Sequence, residues 1–249
     1  MSSFCIYILI GSNHSVVEVY LAVNFEIIDF KSQKRGMHPN YSIATLHINL
    51  LASKYGGQAK GITLSPVEAA ERARVLTAAQ GLESQQISFE VADALNQPFE
   101  EGSFDLIWCI ECENHISDKT KFVHELNRVA APGATIILLT WRHRDLSPLE
   151  QDLLPDGKKL LSQLESRNRA KWISAADYMN LFKSWSFEEI KCADWSPHVA
   201  PYYAEMRKIT LSWKGIMSYA RHAADDAVSV DRYKNGLLKY CILTCQKPQ

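Results

Sequence analysis

A doubly wound α/β fold with a mostly parallel sheet is predicted by three features of the stretch from Val91 to Trp141. Two apolar runs, Phe104–Ile110 and Ala134–Trp141, are rich in Ile, Leu and aromatics, and Pro132–Gly133 stands immediately before the second. Both are strand length, and doubly apolar runs suit parallel strands buried on two faces. Between them, Asp118–Ala131 places Phe122, Leu126 and Val129 at the spacing of an amphipathic helix. Strand, helix, strand is the crossover unit of such a sheet. Ligands then bind beyond the carboxyl ends of the strands, and those ends carry Asp93, Glu111 and His115. A small-molecule site is expected there.

The other elements follow in chain order. Val16–Phe30 reads as a strand and Lys31–Asn40 as a polar loop. Tyr41–Tyr55 carries Ile43, Leu46, Leu50 and Leu51 at helical spacing and stops at Gly56–Gly57. Ala59–Leu64 reads as a strand, after which Ser65 and Pro66 form an N-cap and N1 pair for an Ala- and Arg-rich helix to Gln80 that Gly81 ends. Ile87–Val91 is the next strand. Asp145–Arg169 is charged with Leu at intervals, as helices covering a site would be. Ser174 is the expected N-cap of a helix through Trp185. Phe187–Trp195 is strand-like, His198–Ala224 is helical with a Trp/Tyr/Met face, and Leu237–Cys245 is a last strand.

Composition narrows the function classes. The chain of 249 residues is 47% hydrophobic with a formal net charge of −1, which suits one α/β domain and not a nucleic-acid binder with a basic face. Basic residues are scattered apart from a cluster at Lys31–Arg35. No apolar run reaches the ~20 residues of a membrane helix. The opening FCIYILI lacks a positively charged leader, and Val16–Asp29 is not Ser- and Arg-rich, so neither a signal nor a transit peptide is expected. Cytoplasmic residence follows as the expectation. Six cysteines are present, with Cys109 and Cys112 as a CxxC and Cys241 and Cys245 on one strand face. A zinc or redox module is one use for them, but such knuckles sit in Gly-rich loops and not at core strands. Reduced, buried thiols are the better expectation, with no metal.

Several long segments carry a family resemblance: ASKYGGQAKGITLSPVEAAERA, VADALNQPFEEGSFDLIW, RVAAPGATIILLTW, WRHRDLSP, CADWSPHVAP, TLSWKG and ILTCQKPQ. Together they resemble the plant γ-tocopherol methyltransferase-like proteins, class I S-adenosylmethionine (SAM) methyltransferases that include tocopherol ring C-methyltransferases and alkaloid N-methyltransferases. The resemblance runs from roughly residue 50 to the C-terminus. It implies a Rossmann-like class I fold with a helical insertion before the last two strands. The domain would span 47–249, with acceptor-covering helices at about 145–186 and 198–230, behind a divergent segment 1–46.

The resemblance also implies site roles. Gly61, Thr63, Leu64 and Ser65 follow the strand that approaches the SAM ribose and methionine, and Cys109 joins the cofactor set. Asp93 and Ala94 match the adenine-contacting pair. A carboxylate can accept the adenine amino group, and the alternative use of Asp93 is as a helix cap after the strand. Glu111 and His115 match the Glu and His of the family's MESGEHMPDK run. Spaced i, i+4, they share a face if the segment is helical. A nearby His of ordinary pKa can take a proton from a phenol or an ammonium, with a carboxylate orienting it. The alternative is a pair that only packs the loop. Cys112–Glu113 stands for the usual Ser-Gly, Asn114 for Glu and Ile116 for Met, a remodelled acceptor end. Tyr202, Tyr203, Met206 and Trp213 are candidates to stack on a flat acceptor, with plain core packing as the alternative.

One departure is larger. The family's first strand and glycine loop, of DVGCGIGGSS type, should precede the LASKYGG helix, yet RGMHPNYSIATLHINL stands there. Gly36 is the only glycine between Gly11 and Gly56. Lys34 or Arg35 is the one candidate replacement, as a partner for the SAM carboxylate. Residues 1–46 read as the product of an alternative first exon or a retained intron. Two functions are therefore expected in competition. The first is a SAM-dependent methyltransferase acting on a small aromatic or amine-bearing acceptor, with a homodimer allowed and a chloroplast location if the native N-terminus differs. The second is a catalytically silent isoform that acts by dimerising with an intact paralogue.

Overall fold

The computed structural model describes residues 4–9, 48–49, 58–66, 73–79, 81, 87–200 and 236–249. Seven strands form one sheet in the order β3-β2-β1-β4-β5-β7-β6. They are β1 (Phe4–Leu9), β2 (Gln58–Thr63), β3 (Ile87–Val91), β4 (Phe104–Ile110), β5 (Ala130–His143), β6 (Glu188–Asp194) and β7 (Leu238–Gln246). The described helices are α1 (Arg74–Ala79), α2 (Lys119–Val129), α3 (Pro155–Asn168) and α4 (Ala175–Ser184). This is the α/β, Rossmann-like architecture the sequence predicts, with α3 and α4 preceding the last two strands.

β4 lies at the middle of the sheet because its run leaves no polar face. Phe104, Leu106, Ile107, Trp108 and Cys109 are all buried. β2 pairs in parallel with β3, and β4 with β5. The last pairings, β5 with β7 and β7 with β6, are antiparallel, as a closing hairpin requires. β5 begins at Ala130, four residues earlier than the apolar run suggests. Pro132 and Gly133 are therefore inside the strand, where Gly133 takes φ +78° and its N–H meets the carbonyls of Lys247 and Pro248. A left-handed residue kinks the strand there without ending it.

The sequence did not predict β1. It sits between β2 and β4 and runs antiparallel to both. The four parallel strands thus share a direction but form two pairs, parted by a reversed strand, and not one contiguous block. The predicted strand at Val16–Phe30 lies outside the described residues, as does nearly all of the helix predicted over Tyr41–Tyr55.

α2 packs its apolar face, Phe122, Val123, Leu126 and Val129, into a core shared with Tyr178 and Phe182 of α4. Burying each such side chain stabilises by ~1.5–3 kcal/mol. Asp118 caps α2 by accepting from the Lys121 N–H at 2.9 Å. Ser174 caps α4 as expected. Its Oγ accepts from the Asp177 N–H and the Asp177 carboxylate accepts from the Ser174 N–H, a reciprocal capping box.

Glu125 on α2 secures the loop between β3 and β4. Its carboxylate accepts the Gln97 N–H at 3.0 Å and two bonds from Arg128, whose guanidinium also reaches the carbonyls of Gln97 and Phe99. The Arg128 bonds hold the Glu125 pKa below its ordinary value. A depressed carboxylate pKa contributes stability that is complete above the unfolded value of ~4.3 and is lost as pH falls through the folded one. Glu125→Gln should therefore cost ~1.5–3 kcal/mol at pH 7. Urea unfolding from pH 6 to 3 should show a flatter acid limb for the variant than for the wild type.

Candidate active site

The strand register aligns one edge. Thr63 pairs with Val91, Ile62 and Cys109 both face Cys5, and Ile110 pairs with Leu139. The carboxyl ends of β2, β3, β4 and β5 are level, and the segments that leave them hold Thr63, Asp93, Glu111 and His115. β5 runs on past β4, with Thr140–His143 paired only to Cys241–Leu238 of β7. The amino end of β1, not its carboxyl end, arrives at this edge.

After β4 the chain turns sharply. Glu111 takes φ +51° and donates its N–H to the Leu139 carbonyl at 2.8 Å. A single 3-10 turn follows at Glu113–His115. The segment is not an α-helix, so Glu111 and His115 do not share a helical face. The left-handed residue and the tight turn set their directions instead. His115 is half-buried, and burial lowers its pKa from 6.5, an effect that the positive charge of Lys119 reinforces. A neutral imidazole at pH 7 follows.

The 3-10 turn buries Glu113, which sequence inspection did not single out. Its Oε2 accepts the Tyr178 O–H at 2.5 Å and lies 3.2 Å from Lys119 Nζ. Its Oε1 lies 3.3 Å from Arg142 Nη1. The Lys119 ammonium also donates to the Glu113 backbone carbonyl, and the Arg142 guanidinium stacks 4.0 Å over the Tyr178 ring. Burial, then Glu113, raises the Tyr178 pKa well above 10 and keeps that hydroxyl a donor. Burial lowers the Lys119 pKa, which Glu113 opposes. Two cations thus share one buried carboxylate. The signal in the sequence is a charge directly after the apolar run of β5, but its partners lie 29 and 36 residues away and only folding joins them.

The predicted cofactor residues divide by position. Gly61 is mid-strand, where an added Cβ would lie 2.7 Å from the Phe89 ring. Its missing side chain makes room for β3. Thr63 ends β2, buried, with its Oγ1 accepting the Ser65 N–H at 3.2 Å. Leu64 is exposed beside it. Asp93 is exposed and one carboxylate oxygen accepts the Leu95 N–H at 2.9 Å within a turn that no helix follows, so the helix cap held as its alternative is not what it forms. Ala94 packs against the core. Cys109 is wholly buried within β4, its thiol pushed up to about 12 by burial and then by Glu113. Tyr202, Tyr203, Met206 and Trp213 lie outside the described residues, as do Lys34 and Arg35.

The cysteines do not act as a set. Cys109, Cys192, Cys241 and Cys245 are free thiols, with Cys192 and Cys241 hydrogen-bonded across β6 and β7. Cys112 is disulfide-bonded, so the expectation of uniformly reduced thiols fails at that position. Among the described residues no group of three or more His, Cys, Asp or Glu side chains could hold a metal ion. None of the described helices is long and apolar enough to cross a membrane.

A methyltransferase-domain model matches residues 44–138. The chain is 48% identical over 206 residues to the chloroplastic tocopherol O-methyltransferase of Arabidopsis thaliana, covering 80% of this chain and 59% of that one. It is 41% identical over 212 residues to ajmaline N-methyltransferase of Rauvolfia serpentina, covering 81% and 71%. The chain thus spans under two thirds of the tocopherol relative's length. Among solved structures, geranyl diphosphate C-methyltransferase from Streptomyces coelicolor A3(2), in complex with Mg2+, geranyl diphosphate and S-adenosyl-L-homocysteine, superposes with a TM-score of 0.67 at 15% identity. That likeness covers 95% of this chain and 86% of that one, and it concerns the fold.

Proposed function

We propose that this chain, which belongs to the family of tocopherol and alkaloid methyltransferases, transfers a methyl group from SAM to a tocopherol-type phenolic ring or an indole-alkaloid nitrogen. One observation carries the proposal: Thr63, Asp93, Glu111 and His115, from three separate strand ends, meet at a single carboxyl edge. When bound, SAM supplies a methyl group on a sulfonium centre, which an acceptor displaces in line. The adenosine end fits what this edge offers, a carboxylate at Asp93 beside small Ala94. The methionine end does not, because β1 brings its amino end there and the sequence before Leu50 lacks the family's glycine loop.

Within that scheme the chain's own residues have definite tasks. His115, neutral through burial, takes the proton that a phenol or an ammonium must lose. Glu111, with its backbone N–H fixed on the Leu139 carbonyl, has the task of orienting His115. Tyr202, Tyr203, Met206 and Trp213 serve as the acceptor's stacking surface. The test incubates purified chain with methyl-labelled SAM and either a tocopherol-type phenol or an indole-type amine. Label in one acceptor supports the proposal and names the class, while label in neither refutes it.

The pH dependence is a further expected result. The rate should rise through a pKa below 6.5, because the base must be unprotonated and burial with Lys119 has lowered its pKa. His115→Ala should lower the rate by about 10²–10⁴-fold and remove that limb. A pH–rate profile of both forms decides it, and an unchanged limb in the variant would exclude His115.

The reversed β1 favours a second function, the silent isoform that pairs with an intact paralogue. Titration with S-adenosylhomocysteine separates the two. A homodimer and a chloroplast location belong to the same proposal, and light scattering and a fluorescent fusion read them directly.

A further inference from the structure

We propose that Arg142 and Thr140 form an oxyanion subsite that takes the singly charged oxygen of an aromatic acceptor, a carboxylate or a phenolate. The proposal deepens the acceptor side of the function above and rests on it for the acceptor's nature. Both residues lie on one face of β5, two positions apart, in the part that outruns β4 at the carboxyl edge. Ligands of doubly wound sheets bind at that edge. Both side chains are buried, Thr140 at 0% and Arg142 at 1% exposure. Among the described residues, the Thr140 hydroxyl and the Nε and both Nη atoms of Arg142 have no hydrogen-bond partner.

Such a pair of orphans is costly. A guanidinium carries five N–H donors, and a buried charge that lacks hydrogen bonds is not repaid for its lost hydration. Among the described residues the one anion paired with it is Glu113, 3.3 Å from Nη1, and that carboxylate already holds Lys119 at 3.2 Å and the Tyr178 hydroxyl at 2.5 Å. The three charges, one carboxylate against two cations, leave an excess of one positive charge. A monoanion cancels that excess, whereas a phosphate dianion overshoots it. The Tyr178 ring, 4.0 Å from the guanidinium carbon, pins the planar fork from one side and leaves its edges as the donors. A ligand oxygen accepting from Arg142 and from the Thr140 hydroxyl would satisfy both orphans together.

The test uses calorimetry on the full chain with benzoate and its neutral isostere benzamide as probes. Wild type should bind benzoate at least about tenfold tighter than benzamide, as charge-assisted bonds are the stronger ones. Arg142→Met should abolish the preference yet fold normally, since Lys119 and Tyr178 still hold Glu113. Thr140→Val, an isosteric change at a hydroxyl without a partner among the described residues, should reduce the preference about threefold or more. Equal binding of the two probes by wild type, or a preference that survives Arg142→Met, would overturn the proposal. So would an equal loss of S-adenosylhomocysteine affinity in Arg142→Met, which would assign the guanidinium to the cofactor's carboxylate. A chain that prefers benzoate but binds no S-adenosylhomocysteine would sink the cofactor proposal and leave the subsite standing.

Discussion

Grafting a DVGCGIGGSS-type segment before Leu50 should tighten S-adenosylhomocysteine binding by several orders of magnitude over the chain as it stands. In a sheet ordered 3-2-1-4-5, the glycine-rich turn leaves the carboxyl end of the first strand, and its backbone N–H groups meet the ligand there. Here β1 occupies that central place but runs backwards, since Phe4 pairs with Thr63 and Leu9 with Gln58. Its carboxyl end is at the far side of the sheet from the ligand edge. The residues that stand before the LASKYGG segment include Met37, His38 and Pro39, which bring side chains, and Pro39 lacks a backbone donor. Losing two or three hydrogen bonds to a charged ligand costs on the order of 1.5–3 kcal/mol each. Each ~1.4 kcal/mol is tenfold in affinity. Calorimetry on the chain and the graft makes the comparison. Micromolar binding by the unaltered chain would mean that its own N-terminal residues rebuild the site, and the silent-isoform function would fall.

Glu113→Ala should destabilise the fold by ~3–5 kcal/mol, the cost of stripping a buried ion pair of one partner. Two cations, Lys119 and Arg142, would then share a core with no carboxylate, and the Tyr178 hydroxyl would lose its acceptor. Arg142→Met should behave in the opposite way. It leaves Glu113 balanced by Lys119 and removes a guanidinium without hydrogen bonds, so stability should change little or improve. Denaturant unfolding of both variants gives the contrast directly. Comparable losses in the two would mean that Arg142 is a necessary partner of Glu113 and not the surplus charge.

How legible was this in the sequence? β4 was plain because seven consecutive positions with hardly a polar face admit only a central strand, and α2 because its apolar spacing and Asp118 cap agree. The α4 start was plain at Ser174, three residues before Asp177. These are local signals, periodicity and capping, which act over a few residues and survive in the one-dimensional string. The edge residues Thr63, Asp93, Glu111 and His115 could be placed by the same means, since strand ends are where such signals stop.

Three features belonged to the tertiary structure alone. Six residues of FCIYIL suit any sheet, and nothing local tells a strand which neighbours to join or in which direction, because backbone hydrogen bonds serve parallel and antiparallel pairing alike. Its place between β2 and β4 and its reversed direction appear only in the folded sheet. The helical face that Glu111 and His115 would share if their segment were helical is replaced by a left-handed residue and a 3-10 turn, with the Glu111 N–H bonded to Leu139 of β5. Glu113, Lys119, Arg142 and Tyr178 come from four elements, and a single buried charge shows its cost only once its neighbours are known. Sequence alone determined where the elements and the ligand edge lie. Packing determined which charges meet there, since electrostatic energy depends on distance in space and not on separation along the chain.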